Sequence, residues 1–409
     1  MTGYLRGPWV VALLIALAAQ LLFSVNLTRP NKLVFDEVHY VPAARVLLAL
    51  DRPVNTEHPL LGKEAIATGI ALFGDNPLGW RALSTIAGTA TVLGVFAILM
   101  LLFGSIRTAG YGALFAAINF TLFIQARIAM LDVFMGAFVT LGIASLLWAM
   151  RSPPKQVVRR WMLGAVLLGL ATATKWTAAP YVAFAMIAFV FIREKHADAW
   201  PGMGGIRAIL LLGTISIASY FLTFAPALFY EHRALSLSGL IGFQWEMYQS
   251  QTQILPSHPY QSNWQSWPLL IRPIWYLYEP VDGAVRGILL IGNPAIMWGG
   301  LVALAALVWK WWKGSASAGV VALLWTASLA IWAVIPKSLG FFYYYHLSGI
   351  FICIALAAAF HLYDRRGWWA LAFAGAAMAM FVYFYPIISA GALPDDQAFN
   401  HWMWFDSWR

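Results

Sequence analysis

The sequence carries very little charge for its length. Of its 409 residues, 11% are Asp, Glu, Lys or Arg and 61% are hydrophobic, whereas a soluble domain has about 25% charged and about 45–50% apolar residues. This composition excludes an ordinary soluble protein and indicates one embedded in a membrane. No run of about 100 polar-patterned residues is available to form a soluble domain.

Other features that the sequence lacks exclude particular kinds of chemistry and partner. The single cysteine, Cys353, lies in an apolar run, which excludes an intramolecular disulfide and leaves the compartment unspecified. The motifs GxxxxGK, GxGxxG and HExxH do not occur, so neither nucleotide-driven nor zincin chemistry has support. The net charge of +9 lies mostly in short connectors between apolar runs, and we therefore expect no nucleic-acid partner.

What the sequence does contain is a series of long apolar segments. We predict an all-α polytopic membrane protein with about eleven transmembrane helices. The predicted spans are 10–25, 81–103, 108–124, 130–150, 161–176, 178–192, 208–229, 287–309, 316–335, 343–362 and 367–390. The alternative for the first span is a cleaved signal peptide with a site at Ala16–Ala18, but the many spans that follow favour an anchor.

Two long polar loops interrupt the series, at 29–80 and 231–283. The first contains two stretches, Val38–Leu50 and Pro59–Phe73, which we predict as amphipathic helices on the outer face because neither is long enough to cross the bilayer. The loops divide the chain into an N-terminal catalytic module (1–230), an outer loop without an inserted domain (231–283) and a C-terminal four-span module (284–409).

The basic connectors predict the orientation. The short connectors around Arg107, Arg159 and Arg365 are dense in positive charge and would be cytoplasmic if the N-terminus is cytoplasmic. Nearly all acidic residues fall on the other side. We therefore predict a multi-pass plasma (inner) membrane protein with a cytoplasmic N-terminus, and with its long loops and C-terminus on the outer side.

The first long loop holds the residues best suited to catalysis. Asp36 and Glu37 are adjacent carboxylates that would project about 100° apart in a helix, so they should not share one target. One can remove the proton of an attacking hydroxyl while the other orients it or binds substrate. The alternative is a pair of solvated loop acids, but charges crowded against a membrane are costly and more often functional.

Four basic residues are candidates for binding an anionic, lipid-linked substrate. They lie in the first loop or near the outer ends of predicted spans: Lys63, Arg81, Arg127 and Lys175. Arginine can hold a phosphate with two hydrogen bonds. The alternatives are a lysine that snorkels to the headgroups and an arginine that only anchors the topology.

A third group of residues can bind the sugar or the acceptor through hydrogen bonds: His39, His58, Asp132, His258, Tyr345 and His346. Aromatic and amide side chains surround His258 in the second loop and suit sugar or peptide binding, although an interfacial aromatic belt has the same composition. Two histidines near Asp36 without ligand spacing are weak support for a metal. We expect no metal site and no required cofactor.

Several of these segments resemble, in the same order, the motifs of the protein O-mannosyltransferase family. The matching segments are FDEVHY and EHPLLGK in the first loop, then ARIAMLD, ATATKW, HPYQSNWQSWPLLIRPIWYLYE leading into IGNPAIMWGGL, and PKSLGFFYYYHLSG. The resemblance covers nearly the whole chain. It implies the GT-C fold of multi-span glycosyltransferases that use polyprenyl-phosphate mannose.

The resemblance also implies roles for individual residues. Asp36 would be the catalytic base, Glu37 its partner at the acceptor or sugar, and Arg127 and Lys63 contacts of the lipid phosphate. The reaction would be a single displacement that inverts the anomeric carbon and turns a β-linked mannosyl phosphate into an α-mannoside. Such a displacement does not require a metal ion, because arginine and lysine can neutralise the phosphate charge.

Two departures bear on the acceptor. The chain reads His58-Pro59-Leu60-Leu61 where the family usually has HPPL. The loop 231–283 is also too short for the β-trefoil domain that eukaryotic members insert there, and a short loop is typical of bacterial members.

We therefore expect an enzyme that moves mannose from polyprenyl-phosphate mannose to Ser or Thr of exported proteins, surrounded by membrane lipids and associated with the secretion machinery. One alternative keeps a lipid-linked donor but modifies a lipid or glycan, as aminoarabinose transferases do. A transporter or flippase is the alternative from another class. The ionisable residues lie mostly at outer ends and no repeat is present, which disfavours it.

Overall fold

The computed structural model describes residues 6–409 and is predominantly helical. The helices are α1 (Arg6–Ser24), α2 (Glu37–Leu48), α3 (Leu61–Phe73), α4 (Pro77–Phe103), α5 (Ile106–Ile118), α6 (Phe120–Gln125), α7 (Leu131–Met150), α8 (Pro154–Thr174), α9 (Ala179–Lys195), α10 (Gly205–Leu222), α11 (Gly239–Gln251), α12 (Pro294–Trp312), α13 (Ala316–Ala330), α14 (His346–Tyr363) and α15 (Trp368–Ile388). The strands are β1 (Ile274–Val281), β2 (Ala284–Leu290) and β3 (Ala392–Leu393).

The prediction of a helical multi-pass membrane protein is confirmed. Ten helical segments among the described residues are long and apolar enough to cross a membrane. The remaining predicted span, 108–124, is helical but interrupted, because Asn119 takes an extended backbone between α5 and α6. The two short helices predicted in the first loop are also present, as α2 and α3, with ends shifted by at most two residues.

A small antiparallel sheet was not predicted. β1 and β2 form a hairpin and β3 pairs with the far side of β2, so the strand order is β1-β2-β3. Asp282 and Gly283 make the turn with φ values of 50° and 74°, the left-handed backbone that a two-residue type I′ turn requires. The predicted span 287–309 therefore begins too early, since its helix starts at Pro294, and the predicted boundary at 283/284 falls inside the hairpin turn.

The loops predicted to share one side of the membrane contact one another. The first and second long loops meet where the N–H of Glu231 donates to the Leu50 carbonyl at 2.8 Å. The second loop meets the connector before α14 where Lys337 donates to the Gln251 carbonyl at 3.2 Å. These contacts gather both long loops at one end of the helix bundle, and an ion pair between Lys32 and Glu279 joins the first loop to β1.

Helices pack most closely where a glycine faces a neighbour. A Cβ on Gly169 in α8 would lie 2.4 Å from the Ser216 carbonyl oxygen in α10, and one on Gly300 in α12 would lie 2.2 Å from a side-chain atom of Ile352 in α14. Lipid gives helices no hydrophobic reason to associate, so such close approach supplies much of the packing. α14 is buried along nearly its whole length between its neighbours.

Two buried asparagines join the halves of the bundle. The Asn293 side chain accepts from the N–H of Ala295 at 3.1 Å and so caps α12, and it donates to the Ala377 carbonyl of α15 at 2.9 Å. Asn119, at the break between α5 and α6, donates to the Gly349 carbonyl of α14 at 2.7 Å. The backbone N–H of Asn293 donates to the Asn119 side chain at 3.4 Å.

Replacing Asn293 by alanine is expected to destabilise the protein by about 2–4 kcal/mol, because a helix N-terminus and a buried carbonyl lose their partners together. Thermal unfolding of the purified protein in detergent measures this. The matched control is Asn400→Ala, an asparagine exposed near the C-terminus, for which we expect a change within roughly 0.5 kcal/mol. Equal effects of the two substitutions would contradict a bridging role for Asn293.

Candidate active site

Asp36 lies in the first long loop, immediately before α2. Its carboxylate does not cap the helix by bonding to backbone N–H groups. It accepts a hydrogen bond from the Tyr40 hydroxyl at 3.2 Å. Asp36 therefore keeps acceptor capacity that a substrate hydroxyl can use.

The surroundings of Asp36 tune its acidity. Burial raises the pKa of the Asp36 carboxyl above its ordinary value of 3.8; the nearby Lys175 ammonium opposes that rise, and the Asp132 carboxylate adds to it. A carboxylate with a raised pKa is a stronger base than an exposed one, which suits it to take a proton near neutral pH.

A buried ion pair lies beside Asp36. The Lys175 ammonium, at the break between α8 and α9, is 2.9 and 2.8 Å from the two carboxylate oxygens of Asp132, in the first turn of α7. The Lys175 nitrogen also faces the rings of Tyr343 and Tyr344, at 5.1 and 5.3 Å from their centroids. Two of the predicted site residues, Lys175 and Asp132, thus come together near the predicted base.

A cavity of about 20 Å³ adjoins Lys175. Its lining residues are His58, Lys175, Trp176, Thr177, Gln251, Lys337 and Tyr344. The Gln251 side-chain nitrogen lies 3.1 Å from Nδ1 of His58, and Lys337 donates to both the backbone and the side chain of Gln251. Burial lowers the pKa of Lys337 to about 8 and, together with the nearby lysines, keeps the pKa of His58 well below 6.5. Two lysines and a neutral histidine therefore face one small space, an arrangement suited to an anion.

Glu37 and Arg81 form a second, fully buried ion pair in which every hydrogen-bonding group is used. Two guanidinium N–H groups meet the two carboxylate oxygens at 2.8 Å each. The other three donate to backbone carbonyls of Leu27, Pro30 and Lys32. Glu37 also accepts from the backbone N–H groups of Val34 and Ala129. The structure thus leaves Arg81 no donor for a phosphate, and the Glu37 carboxylate already accepts four hydrogen bonds within the protein.

Lys63 is also fully engaged within the protein. Its ammonium donates to the carbonyls of Asn55 at 2.7 Å, His58 at 2.9 Å and Val54 at 3.3 Å. These are the three hydrogen bonds that a lysine can donate. Lys63 therefore holds the turn that carries His58, and a direct contact with phosphate stays a prediction without geometric support.

Arg127 caps the end of α1. One guanidinium nitrogen donates to the Phe23 carbonyl at 2.9 Å and the Leu22 carbonyl at 3.4 Å, and the group lies 5.0 Å from the Phe123 ring centroid. Basic side chains often satisfy the last carbonyls of a helix in this way. No contact among the described residues joins Arg127 to Asp36, so its predicted phosphate contact also stays a prediction.

The remaining predicted residues divide between the site, its rim and the core. His39 is exposed on α2. His346 is buried at the start of α14, where a Cβ on Gly136 would lie 2.8 Å from its Nε2, and neither of its ring nitrogens has a hydrogen-bond partner among residues 6–409. His258 is exposed in the second loop, 5.4 Å from the ring of Phe341.

Tyr345 is the predicted residue that the structure turns away from the site. It is fully buried, and its hydroxyl accepts a hydrogen bond from the Trp325 indole at 3.1 Å. The chain makes a tight turn at Phe342–Tyr345, so neighbouring tyrosines point in different directions. Tyr343 and Tyr344 face Lys175 instead.

Three further residues of the site were missed. Gln251 ends α11 and Lys337 lies between α13 and α14, and the sequence gives no reason to bring these two places together. Tyr276 lies on β1, with its ring stacked on Phe35 at 3.9 Å and its hydroxyl buried without a partner among the described residues. The Asp282-Gly283 turn between two aromatic and β-branched runs was a hairpin signal that could have placed Tyr276 on a strand.

Within residues 6–409, no group of three His, Cys, Asp or Glu side chains is placed to hold a metal ion. The Lys175 ammonium acts on the Asp36 carboxyl, and Lys337 lines the small cavity that adjoins Lys175. The expectation that the protein needs no cofactor stays a prediction.

Comparison with protein families gives two matches that together span most of the chain. Residues 57–221 match the model described as dolichyl-phosphate-mannose-protein mannosyltransferase. Residues 236–408 match the model of the C-terminal four TMM region of protein-O-mannosyltransferase.

Curated relatives align along nearly their whole length. The polyprenol-phosphate-mannose–protein mannosyltransferase of Mycobacterium tuberculosis is 28% identical over 99% of this chain and 92% of that protein. The enzyme of the same name from Corynebacterium glutamicum is 25% identical over 98% of this chain and 93% of that protein.

Solved structures share the fold. The Saccharomyces cerevisiae Pmt1–Pmt2 complex bound to the sugar donor aligns with a TM-score of 0.85 at 12% identity, over 100% of this chain and 93% of the other. ArnT from Cupriavidus metallidurans bound to undecaprenyl phosphate aligns with a TM-score of 0.62 at 15% identity, over 92% and 64%. The fold and the site thus define a multi-pass membrane glycosyltransferase of the GT-C class.

The chain belongs to the protein O-mannosyltransferase family, as the resemblance of its motifs implied. Between α10 and β1 the described chain has α11 and a short helical turn at Trp264–Leu269, and no β-trefoil domain. The prediction of a member without that inserted domain is confirmed.

The burial of the Glu37–Arg81 ion pair leads to a prediction about the stability of the protein. Replacing Glu37 by alanine is expected to destabilise the protein by about 3–5 kcal/mol, because it leaves the Arg81 charge buried without a partner. Thermal unfolding in detergent measures the loss. The control is Glu246→Ala, since Glu246 makes a long, exposed contact with Arg233 and should change stability by less than about 1 kcal/mol. A Glu37→Ala protein as stable as the control would contradict a structural role for this pair.

Proposed function

We propose that this protein transfers mannose from polyprenyl-phosphate mannose to Ser or Thr hydroxyls of exported proteins. The observation that carries the proposal is the placement of Asp36, a carboxylate with spare acceptor capacity and a raised pKa, beside the Lys175–Asp132 pair. The names of the mycobacterial and corynebacterial relatives supply the donor and the type of acceptor.

The reaction is a single displacement at the anomeric carbon. Asp36 removes the proton from the acceptor hydroxyl as its oxygen forms a bond to the anomeric carbon, and the bond between that carbon and the phosphate oxygen breaks. The proton ends on the Asp36 carboxyl, and the lipid phosphate leaves with the bonding electrons. Attack from the side opposite the phosphate inverts the configuration of the sugar.

Lys175 and Lys337 stabilise the phosphate as its charge increases. The charge of Lys175 acts on Asp36, and Lys337 faces the small cavity that Lys175 also lines. Fixed positive groups in a water-poor site act strongly on developing negative charge, so lysines can do this without a metal ion. Arg81 and Lys63, whose hydrogen bonds are already used, position the loop that carries Asp36 and His58.

The reaction takes place on the outer side of the plasma membrane, with the N-terminus in the cytoplasm. The dense basic connectors at the end of the bundle opposite Asp36 support this orientation. It places the site where a translocated protein would meet a lipid-linked sugar.

Transfer of labelled mannose from polyprenyl-phosphate mannose to a Ser/Thr-containing peptide tests the proposal directly. Replacing Asp36 by asparagine removes the base while keeping the shape of the side chain, and we expect the rate to fall by about 10²–10⁴-fold. Asp406→Asn is the control, because the Asp406 side chain is 97% exposed; it should retain the wild-type rate. Transfer only to a lipid fraction would move the acceptor assignment to a lipid or glycan. Full activity of the Asp36→Asn protein would contradict the role of Asp36 as the catalytic base.

The pH dependence of the same assay checks the environment of Asp36. The base works only when deprotonated, so the rate should fall as the pH drops through the pKa of Asp36, above the 3.8 of an ordinary aspartate. The Tyr40 hydroxyl lowers the pKa of Asp36 by its hydrogen bond. Tyr40→Phe should therefore move the acid limb of the profile to higher pH. An unchanged limb would show that another group controls it.

A further inference from the structure

A cleft of about 550 Å³ opens next to the catalytic loop. The segment 32–35 forms one wall and β1 forms the other, and aromatic and charged side chains line it, among them Tyr260, Trp275, Tyr278, Glu279, Phe399 and Arg409. Its volume falls within the roughly 300–1,000 Å³ of ligand sites. Neither Asp36 nor Lys175 lines this cleft.

The strand that forms one wall has a free edge. β2 pairs with one side of β1, and no backbone hydrogen bond joins the other side to any residue in 6–409. In an antiparallel pair, alternate residues direct their N–H and C=O groups away from the partner strand. β1 therefore presents a row of unpaired backbone groups, which an extended peptide can pair with.

The opposite wall runs alongside β1 without pairing with it. Side-chain contacts hold it in place: Lys32 forms an ion pair with Glu279, and Phe35 stacks on Tyr276 at 3.9 Å. The backbone edge is thus left beside an open space rather than covered by the segment.

Tyr276, one of the residues that line the cleft, lies near the base. Asp36 follows Phe35 directly, and the Tyr276 side chain, 5% exposed, has a buried hydroxyl without a partner among the described residues. The Asp36 and Asp132 carboxylates are close enough to raise the pKa of Tyr276 further than burial alone. An unpaired buried hydroxyl costs free energy, and a bound hydroxyl compound would satisfy it.

The lining favours a peptide over a lipid chain. Charges of both signs, on Lys32, Glu279 and Arg409, stand at the walls of the cleft. A polyprenyl chain has no group to pair with these charges or with a backbone edge. A polypeptide has both.

We propose that the acceptor protein binds in this cleft as an extended segment added to the free edge of β1, and that the Tyr276 hydroxyl holds the Ser or Thr to be modified against Asp36. This assignment rests on the proposed function for its substrate. Binding can be measured without transfer, so the two can fail separately.

Disulfide crosslinking tests the location. The only native cysteine, Cys353, is buried, so an introduced cysteine is the accessible one. The full-length Glu279→Cys protein in detergent is mixed with a Ser/Thr peptide whose one cysteine is activated as a 2-thiopyridyl disulfide. Exchange with the protein thiolate links the peptide and releases 2-thiopyridone, and linked peptide is measured over time. The control is Glu246→Cys on α11, whose native side chain is 56% exposed against 41% for Glu279. Faster linking at 279 than at 246, by about threefold or more, supports the cleft; equal or slower linking overturns it.

Backbone methylation tests the pairing with β1. Peptides carrying one N-methyl group at successive positions are compared by their crosslinking to Glu279→Cys. Because a strand directs alternate N–H groups to one neighbour, methylation at every second position should weaken binding by roughly 3- to 10-fold. No alternation would overturn the pairing. Loss of crosslinking on addition of sugar-free polyprenyl phosphate would reassign the cleft to lipid.

Tyr276→Phe tests the role of the Tyr276 hydroxyl. Removing the hydroxyl should lower kcat for transfer to the peptide at least several-fold while the crosslinking of Glu279→Cys stays unchanged. An unaltered kcat would overturn the role of Tyr276. Crosslinking in the cleft without any transfer by the wild-type protein would refute the proposed function and leave the cleft standing. Transfer by the wild-type protein without preferential crosslinking at residue 279 would overturn the assignment of the cleft and leave the proposed function standing.

Discussion

The buried ion pair between Glu37 and Arg81 is the constraint on which the catalytic loop depends. Taking two charges out of water is costly, and it is tolerated here because each group has a full set of hydrogen bonds. The five guanidinium N–H groups reach the Glu37 carboxylate and three backbone carbonyls between residues 27 and 32, while the carboxylate also binds the Ala129 N–H. One pair thus ties the end of the first span, the loop before α2, α4 and the approach to α7 to a single point. Asp36 directly precedes Glu37 in the chain, so its position is set by a group that cannot move alone.

The two buried ion pairs have different functions because one is saturated and the other is not. Every donor of Arg81 ends on an atom of the protein, so the pair is closed to any ligand. The Lys175–Asp132 pair instead faces aromatic rings and a cavity that also contains Lys337. A charge that retains open space beside it can respond to a phosphate that enters. Burial alone therefore does not identify a functional charge, and the remaining hydrogen-bonding capacity does.

Much of the fold was predictable from the sequence, and much less of the site. Long apolar runs predict membrane spans directly, because a helix must cross about 30 Å of hydrocarbon. The two short helices of the first loop were predicted by the same argument from length. Lys175 and Asp132 were recognisable as charges at span ends, but their pairing depends on how α7 packs on α8. Arg81 was assigned to phosphate because sequence shows a charge and not its partners. Tyr345 was chosen from a run of tyrosines whose directions are set by one tight turn.

The small sheet is a part of the site that the pattern of the sequence does not reveal. In a chain dominated by membrane spans, a hairpin of two short strands looks like the edges of apolar segments, and β2 was absorbed into a span for that reason. Yet the hairpin builds one wall of the cleft beside Asp36 and brings Tyr276 towards it. Soluble proteins usually protect a free strand edge, because it invites unwanted pairing. An edge left open beside a buried base is therefore most simply understood as a surface kept for a second chain.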